Sequence, residues 1–213
     1  MYVPNSFKVD DQAQIEAFLE RYAFASIVSP AANGIVASQV PLVVRRAPMG
    51  LVLVGHVARA NSHWALMDGA SESLAIFQGP HGYVSPTWYA SGPAVPTWNY
   101  ATVHAYGHPR VIHDLTFTED LLRELVLRYE SGDNGWRVED LPRDFSQSLL
   151  SAIVAFEMPI HRLETKFKLG QNRSAEDRAG TIAGLEREQS SEAHALASFM
   201  RAQSGLPALA SGD

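Results

Sequence analysis

Residues 24–57 read "FASIVSPAANGIVASQVPLVVRRAPMGLVLVGHV". Three runs rich in Val and Ile, "FASIVS", "GIVASQVPLVV" and "GLVLVGHV", are separated by turn residues at 30–34 and 47–50. Branched side chains favour the extended backbone and Pro, Asn and Gly favour reversal, so these runs read as neighbouring strands. The links between them are far too short for the crossover that a parallel pair needs. The pattern therefore predicts an antiparallel sheet.

Upstream, "DDQAQIEAFLERYAF" carries Ile15, Phe18, Leu19 and Tyr22 at helical spacing behind Asp10 and Asp11, which favours an amphipathic helix. Downstream, the third run ends abruptly in "ARANSHW". A strand that only filled a core would have no use for His56, Arg59, Asn61, His63 and Trp64. A short helix is expected at residues 62–67 and a strand at "ESLAIFQ". The segment "GPHGYVSPTWYASGPAVPTW" packs four Pro and three Gly into twenty residues and reads as a long ordered loop, with room for a strand at residues 83–85. "NYATVHAYGHPRVIHD" then alternates Tyr100, Thr102, His104 and Tyr106 against Ala101, Val103, Ala105 and Gly107, as a strand with one small apolar face does.

"TFTEDLLRELVLRYESG" predicts a helix with Thr116 and Glu119 as a capping box, Leu121, Leu122, Leu125, Val126 and Tyr129 on one side, and Gly132 as its stop. "DFSQSLLSAI" predicts another helix, and "VAFEMPIHRLETKFKL" a strand with Pro159 at an edge or bulge. Ser174 and Asp177 match a second capping box ahead of Ile182 and Leu185. A last helix is expected over residues 192–201, and the chain after Ser204 is expected to fray. Six or so strands, flanked rather than alternated by helices, indicate a mainly β (α+β) architecture: an antiparallel barrel with helical decoration.

Composition narrows the function. The chain has 213 residues, 46% hydrophobic and 19% charged, which is enough for a substantial core. A net charge of -6 gives no basic footprint for nucleic acid. The absence of cysteine excludes disulfides, thiolate zinc sites and thiol nucleophiles. "MYVPNSFKVDDQ" has no targeting pattern, and no apolar stretch reaches membrane-spanning length, so a soluble, cytoplasmic protein is expected. Dinucleotide, P-loop, zincin and nucleophile-elbow motifs are missing. His81 and Ser85 have the types of a base and a nucleophile but no third orienting group, and read equally as loop caps. His104 and His108, flanked by Gly107 and Pro109, are too far apart along a strand to share an ion unaided, and no metal is expected.

Two constellations point to an anion. Arg59 and Asn61 leave the strand end at i and i+2, beside a helix start whose N–H groups favour negative charge. A strand-end Arg pairing with a surface carboxylate is the plain alternative. "KFKLGQNRS" places Lys166, Lys168, Gln171, Asn172 and Arg173 just ahead of a helix N-terminus. Cations oppose the helix dipole there, which an anionic ligand would explain; a solvated basic turn is the alternative.

The ordered motifs "MYVP", "GHVARANSHW", "FQGPHGYVSPTWY", "VPTWNYATVHAYG" and "KLGQNRSAEDRAGTIAGL" resemble the PaiB-type family of FMN-binding negative transcriptional regulators, relatives of the pyridoxamine-phosphate-oxidase-like split barrels. The resemblance runs from Met1 to about Leu185. It implies a split β-barrel domain over residues 1–185, a C-terminal helix and tail over 186–213, and a homodimer with FMN in grooves at its interface. Ser38, Gln39, Val40 and Pro41, then His56, Ala58, Arg59, Ala60 and Asn61, then Trp98, Asn99 and Tyr100 would lie along the flavin. Arg59 and Asn61 would face its phosphate, the amides and Tyr100 the polar edge of the ring, and Lys168, Gln171 and Asn172 would close the site from the same chain or its partner. Gly170 departs from the Ser expected in this motif; glycine also permits positive φ, an altered turn.

The resemblance implies a regulator, yet nothing forms a helix-turn-helix and the acidic balance does not steer toward DNA. A flavin-dependent oxidoreductase, with "GPHGYVSPTWY" covering a small-molecule substrate, and a heme-handling relative using His56, His81 and His104 stay open. Turnover of a substrate stays open with them.

Overall fold

The computed structural model describes residues 1–130 and 135–204. The expected helix stop at Gly132 and the chain after Ser204 lie outside the described residues. α1 (Gln12–Arg21) forms where the spacing predicts, with Asp11 Oδ1 accepting from Gln14 N at 2.8 Å and Ile15, Phe18 and Leu19 buried. β1 (Phe24–Ala31) and β2 (Gly34–Pro41) pair antiparallel as a hairpin around Ala32 and Asn33. The run "GIVASQVPLVV" is two strands and not one, because Leu42 turns inward between β2 and β3 (Val43–Ala47) and is fully buried. β3 pairs with β4 (Gly50–Ala58), the strand that leads into the polar segment. Gly55 of β4 lets the strand pass close to Leu42, Phe156 and Pro41 O; a Cβ there would meet Leu42 Cδ2 at 2.8 Å and require that side chain to move.

β5 (Ser73–Val84) extends six residues into the stretch expected to be loop. Its pairing with β1 covers only residues 74–76, so Pro80 sits beyond that edge, where β1 needs no N–H from it. β6 (Thr97–Gly107) shows the expected alternation, and β7 (Arg110–Ile112) follows it. α2 (Leu115–Tyr129) is capped by Asp114, whose Oδ1 accepts from Thr116 N at 2.8 Å; Thr116 is therefore inside the helix and not its cap. Asp114, two residues earlier, is the one placed to meet the free N–H groups. α3 (Arg143–Ser151) leads into β8 (Ile153–Lys168), in which Pro159 marks the end of the pairing with β4. α4 (Ala175–Arg187) and α5 (Ser191–Ser204) complete the chain.

Among the described residues eight strands form one sheet in the order β2-β1-β5-β6-β8-β4-β3, with β7 on β8, and the assigned pairs are antiparallel. The chain divides into two units. The first comprises Met1–Ile15, Gln78–Val103 and the chain from Glu164 onward; the second comprises Glu16–Phe77 and His104–Leu163. In the second unit α2 lays Leu121 and Leu125 on Val43, Val54 and Ala155. In the first, Phe167 of β8 packs edge-on against Phe199 of α5 with ring centres 5.4 Å apart, and Ile182, Leu185 and Leu196 are buried. Each such side chain contributes roughly 2 kcal/mol by leaving water.

Candidate functional site

In the second unit, the polar strand end is built into an internal network. His63 is fully buried in the short 3-10 helix Ser62–Leu66. Its Nδ1 lies 2.9 Å from Ser38 Oγ and its Nε2 2.8 Å from Ser29 Oγ, which in turn lies 2.7 Å from Ser73 Oγ. Asn61 donates from Nδ2 to Ser38 Oγ at 2.9 Å and accepts His63 N at 3.0 Å, capping the helix. Burial pushes the His63 imidazole below its ordinary pKa, so the ring is neutral and one nitrogen donates while the other accepts. The chain of bonds joins β1, β2, β5 and the helix start.

Arg59 is committed as well. Its main-chain N–H donates to Ala152 O, and its side chain donates from Nε to Ser151 O at 2.7 Å and from Nη2 to Ile153 O at 3.0 Å. Three successive carbonyls at the end of α3 are thus held by one residue, and its cation suits the negative end of that helix. Trp64 Nε1 donates to Arg59 O. His56 is half-buried on β4 with Nδ1 buried and unbonded, and burial holds it below its usual pKa. Gln39 reaches Ser26 Oγ at 3.5 Å; Val40 is buried, Pro41 half-buried, and Ala58 and Ala60 are exposed.

The first unit gathers the other expected residues. Lys168 Nζ donates to Thr97 Oγ1 and to the carbonyl of Trp98. Burial first, then the neighbouring Lys166 and Arg173 charges, push its ammonium below the usual lysine range. Lys166, only 8% exposed, donates to Tyr2 O at 3.0 Å and lies 5.3 Å from the Tyr100 ring centre. Arg173 lies over Tyr89 at 4.5 Å, and the Nε of Arg178 is buried without a partner. Among the described residues none of these four cations makes an ion pair.

Gln171 is turned back on β8, accepting Leu169 N and donating to Phe167 O, while Asn172 is exposed and Asn99 is buried. Gly170 has φ +81°, the left-handed region, so the turn that carries Lys168 toward α4 is a glycine turn and a Ser there would be strained. Of the capping box at α4, only half forms. Ser174 Oγ accepts Asp177 N, but the Asp177 carboxylate, 1% exposed, instead accepts Ala90 N, Ser91 N and Ser91 Oγ and so anchors the loop after Trp88. Gly180 and Gly184 bring α4 against Trp88; a Cβ on Gly184 would fall 2.2 Å from the indole.

That packing leaves a cavity of about 520 Å³ lined by His81, Tyr83, Trp88, Trp98, Leu185 and Glu192 among others. Ser85 serves as a cap, accepting Thr87 N, with no link to His81 in the manner of a nucleophile and base. The sequence marks His63 only as one of the polar residues at the strand end and Asp177 only as half of a capping box; the buried network, the loop anchor and the cavity are not legible in it. For His63 the available signal was its place two residues after a capping Asn, facing the serines of β1 and β2.

Comparison with known proteins agrees with this architecture. Residues 1–162 match the family described as "Putative FMN-binding domain". The chain is 31% identical over 200 residues to the Bacillus subtilis protein "Protease synthase and sporulation protein PAI 2", covering 94% of this chain and 96% of that protein. It is 33% identical over 184 residues to an uncharacterized protein of Emericella nidulans, covering 70% and 72% of the two. Among solved structures, the flavocytochrome Anf3 from Azotobacter vinelandii superposes with a TM-score of 0.62 at 16% identity, covering 84% of this chain and 78% of that one. The FAD- and heme-binding protein from Mycobacterium smegmatis gives 0.59 at 16% identity, covering 81% and 78%. These likenesses confirm an antiparallel split barrel with flanking helices: the strand pattern indicates the antiparallel barrel and the family resemblance its split form. The chain belongs to the FMN-binding-domain family of split β-barrels.

Proposed function

We propose that the protein binds FMN and that the flavin phosphate is received by the basic cluster of the first unit. The observation that carries this reading is the set Lys166, Lys168 and Arg173, whose charges bear on one another with no salt bridge among the described residues, together with Arg178 beside Gly170, whose buried Nε–H is unbonded. Like charges kept close repel one another, and a dianionic phosphate removes that cost while satisfying the donors. Trp98, Asn99, Tyr100, Gln171 and Asn172 belong to the same unit and supply ring faces and amides. Bound flavin would supply reversible electron or hydride transfer, and the chain's part is to hold and orient it. The strand-end residues Ser38, Gln39, Val40, Pro41, His56, Ala58, Arg59, Ala60 and Asn61 are a separate part of the proposal, tested by their own variants.

We further read the protein as a homodimer whose regulatory effect, as in the PaiB-type resemblance, comes through the flavin or a protein partner. A net charge of -6 offers no field to attract DNA. No helix among the described residues is long and apolar enough to cross a membrane.

The test is flavin titration of the purified protein, with riboflavin as the phosphate-free control. FMN is expected to bind at micromolar or lower concentration, and Lys168→Met to weaken FMN about tenfold, the share of one charge-assisted contact, while leaving riboflavin nearly unchanged. Equal binding of FMN and riboflavin by the wild-type protein would remove the phosphate assignment. FAD in parallel decides between the two flavins, and a Soret band on hemin addition would favour the heme-handling alternative.

A further inference from the structure

The aromatic cavity of the first unit has chemistry opposite to the basic cluster. Trp98, 54% exposed, stands with its ring 6.4 Å from His81 in stacked orientation and 6.3 Å from Tyr83 edge-on; Trp88 contributes a third large ring. The charged groups on the wall are carboxylates, Glu188 and Glu192. Glu192 has an ordinary reason to be in the first turn of α5, where it accepts the Ser190 hydroxyl at 2.8 Å. Glu188 has none: it is the C-cap of α4, the end of a helix where negative charge is disfavoured. The volume, about 520 Å³, is that of a small-ligand site, and the exposed Trp98 and Tyr83 rings beside carboxylates are the recognition chemistry of organic cations, with Trp88 already packed on Gly184.

We propose that the cavity formed by His81, Tyr83, Trp88, Trp98, Glu188 and Glu192 binds a small alkylated ammonium compound with an apolar body. The cation sits against the indole and phenol faces and within reach of the two carboxylates; the body occupies the Leu185 and Ala193 side of the wall. Anions, the flavin phosphate included, are rejected by the same carboxylates. The Ser190 hydroxyl first, and nearby His81 with it, hold the Glu192 carboxyl below the usual range, so its charge is present at neutral pH. The inference does not rest on flavin binding, although the two readings share Trp98: the cavity and its charges belong to the protein without cofactor.

Benzyltrimethylammonium is the probe, read by tryptophan fluorescence and calorimetry on the full chain, with benzyl alcohol and benzenesulfonate as neutral and anionic controls. The cation is expected to bind with a dissociation constant in roughly the millimolar range or better, and benzenesulfonate not at all. Glu188→Gln with Glu192→Gln is expected to weaken the cation about tenfold and leave benzyl alcohol unchanged. Trp98→Ala is expected to abolish the signal; if that variant melts early, the glutamine pair carries the test alone. Binding of benzyl alcohol as tight as the cation, or an unchanged affinity in the glutamine pair, overturns the proposal. Lys168→Met separates the two readings: loss of FMN with cation binding intact leaves this one standing.

Discussion

Two polar constellations end strands in this molecule, and they are spent in opposite ways. In the second unit, Arg59, Asn61, His63 and Ser38 satisfy one another and the carbonyls of the α3–β8 junction. In the first, Lys166 and Arg173 crowd the Lys168 ammonium, and among the described residues none of them, nor Arg178, forms a salt bridge, though the Asp177 carboxylate feels the Arg173 charge. A side chain whose donors are already used by the fold stabilises the fold. A group of like charges held together costs stability, and such a cost points outward to a ligand. From types and spacing alone both segments are anion seats; Lys166 and Lys168 are hydrogen-bonded too, so what separates the segments is the crowding of like charge around Lys168.

The sharpest way to break the comparison is His63→Ala. Removing the ring takes one of two hydrogen-bond partners from each of Ser29 and Ser38, which keep Ser73 and Asn61, and opens a void in a fully buried position. A loss of about 3 kcal/mol in urea unfolding is expected from the void and the lost bonds. A variant as stable as the wild type would show that the network is not what the strand end is for.

Asp177→Asn probes the first unit through its loop anchor. The Ser91 hydroxyl, then the N–H groups of Ser91 and Ala90, hold the Asp177 carboxyl below the usual carboxylate range. A lowered folded-state pKa favours the folded state above the unfolded value, about 4, and that advantage is lost as pH falls through the folded value. The melting temperature of the asparagine variant should therefore fall furthest below wild type at about pH 7, with the gap narrowing below about pH 4. A gap constant across that range would assign the anchor to hydrogen-bond geometry and not to charge.

Legibility in the sequence followed range. β1, β4, α1, the alternation in β6 and the Ser174 cap are short-range patterns, and they formed as read, whereas the middle run broke into β2 and β3 at Leu42. The stretch after Gln78 did not, because its Pro and Gly content argues for loop whenever the neighbour across the sheet is unknown; Pro80 is tolerated only because β1 stops pairing before it. Asp114 displaced Thr116 as the cap of α2 because both types cap helices and one position decides. The candidate residues were legible as types: Arg59, Asn61 and Lys168 were each marked. Which of them were already bonded depended on Ser151, Ile153, Ser38 and Thr97, each far along the chain.

The smallest effects decide the most. Arg59→Met removes two bonds to carbonyls and a cation from the end of α3, and about 1 kcal/mol of stability should go with them, measured by urea unfolding. Lys168→Met removes a charge that its surroundings disfavour, since a lysine pKa lowered in the folded state means that the protonated form is the costly one there. Its stability should stay within about 0.5 kcal/mol of wild type or rise. The ratio of FMN to riboflavin affinity should respond in the reverse order, collapsing in the lysine variant and holding in the arginine one. If the ratio collapses in Arg59→Met instead, the phosphate belongs to the strand end as the i and i+2 spacing expects, and the two carbonyl bonds are ones that the guanidinium gives up when the ligand arrives.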